Sequence, residues 1–213
     1  ETVNCVFDST AFGIGTESQN GKCSPHYLKA NTITDQLRMT YPSSKVISMS
    51  IKDRGAILPG GHLSNGSYWF DNIAGKFVTS SYFKKEMPFW VNTFNEKNYP
   101  NNYLNQTWNT LLPLEEYKES EPDNSPYEQL LQGKLTPTFP YDLKEMCKGQ
   151  PNFSLFTSTP FANTYLTDFA VESIYNEMLG QDVQTDFLCI SYSTPDIVGH
   201  AFGPYSVEME DLY

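Results

Sequence analysis

The sequence predicts an α/β protein. Two observations carry that prediction. A helical stretch that Asn31 or Thr32 can cap, running to Tyr41, is followed directly by a short apolar run, Lys45-Val-Ile-Ser-Met-Ser50. The clearest helix of the chain, Asn163 to Leu179, is followed by a second such run, Phe187 to Tyr192. Helices alternating with short, nearly continuous apolar strands are the pattern of a parallel sheet covered on both faces.

Composition narrows the class further. At 213 residues the chain can hold one large domain or two small ones. Fourteen Tyr, fourteen Phe and three Trp are too many for a disordered chain. The formal net charge of -11 argues against nucleic acid or an anionic membrane as a general partner. No apolar stretch approaches the length of a membrane span. Cys5, Cys23, Cys147 and Cys189 form no CxxC pair, which argues against a structural zinc knot. Cys5 and Cys23 bracket a Gly/Ser/Asn-rich loop, and their spacing leaves bonded and free states both open. Cys189 reads as a small buried hydrophobe.

The elements follow in order. Residues 1 to 25 are punctuated by Gly13, Gly15, Gly21 and Pro25 and carry no period. In the first helix Ile33, Leu37 and Tyr41 give the apolar spacing, and Pro42 ends it. After the first strand, Tyr68-Trp-Phe-Asp71 and Gly75 to Tyr82 predict two short strands joined by a turn at Asn72 to Gly75. Lys85 to Asn95 fits a short helix with Pro88 near its first turn. Residues 96 to 160 are dense in Pro, Asn and Tyr and hold no period, so about 84–160 is expected to be an irregular elaboration. In the helix from Asn163, an apolar stripe of Leu166, Phe169, Ala170, Ile174 and Met178 ends at Gly180, a suitable C′ residue. Ser206 is placed to cap a last helix whose first turn is acidic. The chain starts at Glu1 without Met and stops at Tyr213 inside that helix, so the expectation is an internal segment, 1–213, of a longer protein.

Chemistry concentrates in two places. At the end of the last strand, Asp196 and His200 stand four residues apart on what reads as a turn, with Gly199 and Gly203 beside them. A carboxylate and a neutral imidazole suit a zinc-type metal, yet two donors do not close a site. The plain alternative is a turn-capping Asp and a His bonded to backbone. Just past the first strand, Lys52-Asp53-Arg54 puts two cations at i, i+2, which share a face in extended chain. A guanidinium grips two phosphoryl oxygens and an ammonium adds a point charge. The plain alternative here is a solvated charge cluster in which Asp53 neutralises a neighbour. His26 and His62 read as loop residues, and no GxSxG, Walker, GxGxxG or HExxH motif occurs.

Taken together, Ser48-Met-Ser-Ile-Lys-Asp-Arg-Gly-Ala-Ile-Leu-Pro-Gly-Gly-His62, Tyr68-Trp-Phe-Asp71 and Ser193-Thr-Pro-Asp-Ile-Val-Gly-His-Ala-Phe-Gly-Pro204 resemble the alkaline phosphatase superfamily. The resemblance runs in order over nearly the whole chain. It is strongest to the PafA-type phosphomonoesterases, relatives of the nucleotide pyrophosphatase/phosphodiesterase family. It implies an α/β sandwich around a mainly parallel sheet. It implies a phosphate monoester substrate, two zinc ions and a covalent phosphoenzyme. It makes Asp196 and His200 two ligands of one zinc, and Lys52 and Arg54 the phosphoryl clamp. The family's nucleophile and remaining ligands have no match in this chain, so the resemblance implies that the piece alone is inactive. The resemblance, the disulfide that Cys5 and Cys23 could form and the missing Met together point to a periplasmic or secreted parent. Two alternatives stay open: a nucleotide diester or pyrophosphate substrate, and a non-catalytic binding domain that keeps the family shape.

Overall fold

The computed structural model describes residues 4–213. In chain order its elements are β1 (Gly13–Ile14), α1 (Ile33–Thr40), β2 (Val46–Ser50), α2 (Asp53–Gly60), β3 (Gly66–Asp71), β4 (Lys76–Ser80) and α3 (Phe89–Glu96). Then follow α4 (Tyr99–Tyr103), β5 (Thr107–Trp108), β6 (Tyr141–Asp142), α5 (Leu143–Met146) and α6 (Phe153–Phe156). The last are α7 (Pro160–Asn176), β7 (Phe187–Ser191), α8 (Thr194–Phe202) and α9 (Val207–Leu212). They sort into two compact units. One comprises residues up to Asn98 plus Tyr165–Tyr192, and the other Tyr99–Thr164 plus Ser193–Tyr213.

The first unit is an α/β layer structure. Its sheet has the order β1-β4-β3-β2-β7. β3, β2 and β7 run parallel, while β4 and β1 add antiparallel at the far side, so the sheet is mixed. β2, α2 and β3 form one βαβ unit. Alternation along the strands splits the core in two. Trp69 and Val78 pack with Ala56 and Ile57 of α2 and with Val6 and Cys23. Tyr68, Phe70 and Phe77 point to the other face, where Phe77 stacks on Phe169 of α7 at 4.0 Å between ring centroids. Fully buried aromatics dominate that side, and edge-on or stacked pairs add to their area burial.

Local chemistry explains the element ends. Thr32 and Asp35 form a reciprocal capping box on α1. Asp35 is fully buried and also accepts the Leu63 amide, which ties α1 to the loop after α2. The apolar spacing of α1 misleads, however: Ile33 and Tyr41 are exposed, and Thr34 and Asp35 are buried instead. The Thr34 hydroxyl donates to the Pro59 and Gly60 carbonyls, so this contact is made by hydrogen bonds rather than by a stripe. The expected hairpin is present, with the turn closed by Gly75 at φ 68°. α7 begins three residues earlier than the spacing suggests. Its stripe is buried at Leu166, Phe169 and Ala170, but Ile174 is exposed in the last turn, and the helix ends at Asn176, so exposed Met178 (φ 54°) and Gly180 lie in the turn beyond it. There Lys45 Nζ donates to the Glu177 and Met178 carbonyls, completing the helix end electrostatically.

The last strand departs most from expectation. β7 was expected to be buried, yet every residue in it, Cys189 included, is only half-buried. Among the described residues it pairs with β2 alone, so one edge carries no strand partner. Cys5 and Cys23 are free thiols, Cys5 exposed and Cys23 buried, which decides the pairing left open by their spacing. The Cys23 thiol instead points to the Asn20 carbonyl and the Asp53 carboxylate.

The second unit is made from the stretch with no period plus α8 and α9. Its short elements include a two-stranded ladder, Thr107 opposite Asp142 and Trp108 opposite Tyr141. Trp108, Phe139, Tyr141 and Phe202 form its aromatic core. Asp211 of α9 organises the loop after β5: it accepts Trp108 Nε1 and the Leu111 amide, each at 2.7 Å, and the Tyr117 hydroxyl. Polar anchoring of this kind replaces periodic packing, which is why no helix or strand period shows there.

Candidate functional site

The cationic pair sits where β2 hands over to α2. Ser50 is the last residue of β2, Lys52 is the N-cap of α2 and Arg54 is its second residue. Lys52 is extended (φ -97°, ψ 138°), whereas Arg54 is already helical. The shared-face argument from an extended chain therefore fails, because the backbone turns between the two. What replaces it is a helix start. The N-cap side chain of Lys52 makes no cap bond and the Arg54 N–H is taken by Asp53 Oδ1, so it is the helix dipole that adds to the two cations. Arg54 is exposed, with its guanidinium 3.8 Å from Asp53 Oδ1. α2 reaches this position by lying close on the sheet. A Cβ on Gly55 would stand 2.5 Å from Ser50 Oγ, and one on Gly60 would stand 2.3 Å from Ser48 Oγ. Small strand residues and two helix glycines thus set the depth of the helix.

The acid–imidazole pair belongs to the second unit. Asp196 and His200 lie on α8, a nine-residue helix, not on a turn. At i, i+4 they share its exposed face while Val198 and Phe202 are fully buried. His200 Nε2 stands 3.4 Å from Asp196 Oδ1, with side chains 81% and 55% exposed. An Asp in the first turn and a His in the last also suit the helix dipole, which is all that a purely structural pair would need. Gly199 has no steric duty, since a Cβ there would meet Met209 at an ordinary 3.6 Å. Gly203 does: its φ is +89°, and a Cβ would stand 2.9 Å from the Tyr127 ring.

The donor chemistry of this pair fits half of a zinc site, one carboxylate and one imidazole on a single accessible face. Among the described residues, no group of three or more His, Cys, Asp or Glu side chains is arranged to hold a metal. The His62 carbonyl accepts the Tyr82 hydroxyl, and His26 packs edge-on against Tyr27.

Sequence reasoning passed over Asp53 except as a neutralising neighbour. It also missed three acids in the second unit, half-buried Asp123 and buried Glu128 and Glu208, each with one carboxylate oxygen that is buried and has no hydrogen-bond partner among the described residues. Nothing in their local sequence marks them, since their burial comes from segments distant in the chain.

The fold matches part of a solved alkaline phosphatase. The solved structure of wild-type alkaline phosphatase PafA superposes with a TM-score of 0.95 at 46% identity, covering 99% of this chain and 41% of that one. No family model matches the sequence. Alkaline phosphatase PhoV of Synechococcus elongatus is 48% identical over 99% of this chain and 38% of its own length. Alkaline phosphatase PafA of Elizabethkingia meningoseptica is 46% identical over 100% of this chain and 39% of its own. A Myroides odoratus protein described as a calcium-transporting ATPase is 43% identical, over 100% and 39% respectively. This chain is thus similar over nearly its whole length to the alkaline phosphatases PafA and PhoV, and it spans about two fifths of the length of the curated relatives it matches. A further solved structure, a PafA variant, is altered at a threonine, an asparagine, and a lysine and an arginine two positions apart.

Proposed function

We propose that this chain is a segment of a zinc-dependent phosphomonoesterase, in which Lys52 and Arg54 clamp the phosphoryl group and Asp196 and His200 ligate one zinc. The observation that carries the reading is the placement of Lys52 and Arg54 at a helix start directly after a parallel strand. Ligands of α/β sheets gather beyond the carboxyl ends of strands, where helix starts favour anions. Support comes from the PafA variant, whose altered lysine and arginine share this spacing. In a phosphoryl transfer the fixed cations act where charge develops, and they matter most for a dianionic group. Zinc, when bound, would polarise a phosphoryl or leaving oxygen. Asp196 and His200 would hold it in the ionised and neutral forms respectively. The nucleophile and remaining donors, and turnover through a phosphoenzyme, belong to the longer parent in this reading. So does a periplasmic or secreted location. No described helix is long and apolar enough to cross a membrane.

The test uses the full-length parent with Lys52→Ala and Arg54→Ala. For a phosphate monoester, kcat/KM is expected to fall about a hundredfold for either change. For a diester, which carries one fewer phosphoryl charge, the loss is expected to be several-fold smaller. Equal losses on both substrates would overturn the monoester assignment.

A further inference from the structure

The residue between the two cations carries its own set of contacts. Asp53 is the first residue of α2, and its two carboxylate oxygens are used differently. Oδ2 accepts Asn4 Nδ2 at 2.7 Å and faces Cys23 Sγ at 3.7 Å. Oδ1 accepts the Arg54 backbone N–H at 2.6 Å and lies 3.8 Å from the Arg54 guanidinium. The carboxylate is therefore fixed from one side by partners far back in the chain and turned towards Arg54 on the other.

We propose that Asp53 is a positioning residue: its carboxylate, held from behind by Asn4 and Cys23, fixes the Arg54 guanidinium for the phosphoryl group. The inference rests on the phosphoryl-clamp reading of Arg54. Arg54 is half exposed, and a long exposed side chain loses rotamer freedom when it engages an anion. A charge that confines it beforehand lowers that cost. At 3.8 Å the contact is Coulombic and too long for a hydrogen bond, so it restrains the guanidinium without occupying its N–H fork. The fork stays available for two phosphoryl oxygens. Cys23 fits the role of donor, because burial and the Asp53 charge push its thiol up to about 12 and keep its proton in place.

The bland account gives Asp53 a share in helix stability, since an acid in the first turn suits the dipole. A double-mutant cycle in the full-length parent separates the two. Asp53→Ala is made alone and in an Arg54→Ala background, with monoester kcat/KM and thermal midpoints measured for each. Positioning predicts a loss of about tenfold in the wild-type background and almost none once Arg54 is gone. Asp53→Asn, which keeps the size and one acceptor, runs the same cycle if the alanine variant does not fold. A loss of equal size in both backgrounds would overturn the positioning role while leaving the clamp intact. An Arg54→Ala parent with unchanged monoester activity would sink the clamp reading itself, and this inference with it.

Discussion

Glu208 is a carboxylate held where solvent does not reach it. It is fully buried on α9, its Oε1 accepts the Tyr141 hydroxyl at 2.5 Å, and its Oε2 has no hydrogen-bond partner. Burial pushes its carboxyl up to about 7, and the repulsion of Glu128 and Asp123 adds to that against the Tyr141 bond. A raised carboxyl pKa means that the folded state holds the proton more tightly than the unfolded chain. Its contribution is full below the ordinary carboxylate range and is lost as pH rises through about 7. The wild-type chain is expected to lose on the order of 1–3 kcal/mol of stability between about pH 4.5 and 7 from this group. Glu208→Gln, which is neutral throughout, should flatten that part of a thermal-midpoint profile against pH. A slope unchanged by the substitution would assign the effect elsewhere. Nothing in Ser206-Val-Glu-Met-Glu210 separates buried Glu208 from half-buried Glu210. The difference is made by Tyr141, sixty-seven residues earlier in the chain.

Among the elements, α2 is the one whose position decides the site. Nothing in its sequence marks it as a helix, because Gly55, Pro59 and Gly60 all disfavour helix locally. Packing overrides that preference. The same glycines let the helix lie close on Ser48, Ser50 and Ser67 of the sheet, where a Cβ on Gly60 would come within 2.3 Å of Ser48 Oγ and 2.6 Å of Ser67 Oγ. Those two hydroxyls are fully buried and 2.7 Å apart, so they have little room to give. Gly60→Ala is expected to cost about 1–3 kcal/mol through overpacking. By lifting α2 it should also lower monoester kcat/KM in the full-length parent. Denaturant unfolding checks the first and kinetics the second. A variant as stable and as active as wild type would show that the helix depth is not constrained here.

For the molecule as a whole, the chain has the fold of part of an alkaline phosphatase and two fifths of its relatives' length. Under the proposed reading it supplies two zinc donors, two cations and no nucleophile. The isolated chain is therefore expected to show no zinc-dependent monoesterase turnover and only weak zinc binding, measured by phosphate release and by titration with the metal. Zinc-dependent turnover by the isolated chain would refute the proposed division of roles. The α/β class, the α1–β2 order, the hairpin and the long helix were set by local signals: caps, turn residues and apolar runs act over a few residues and need no distant partner. The motifs around Lys52, Arg54, Asp196 and His200 were likewise legible, because their residue types and spacing are contiguous. The exposed face of α1, the half-burial of β7, the helical setting of both site pairs, the free thiol of Cys23 and the hold on Asp53 were decided only in the tertiary structure. For α1, Cys23 and Asp53 the deciding contact joins residues far apart in the chain, and a local pattern carries no information about which distant surface will cover it, or, as for β7, leave it uncovered.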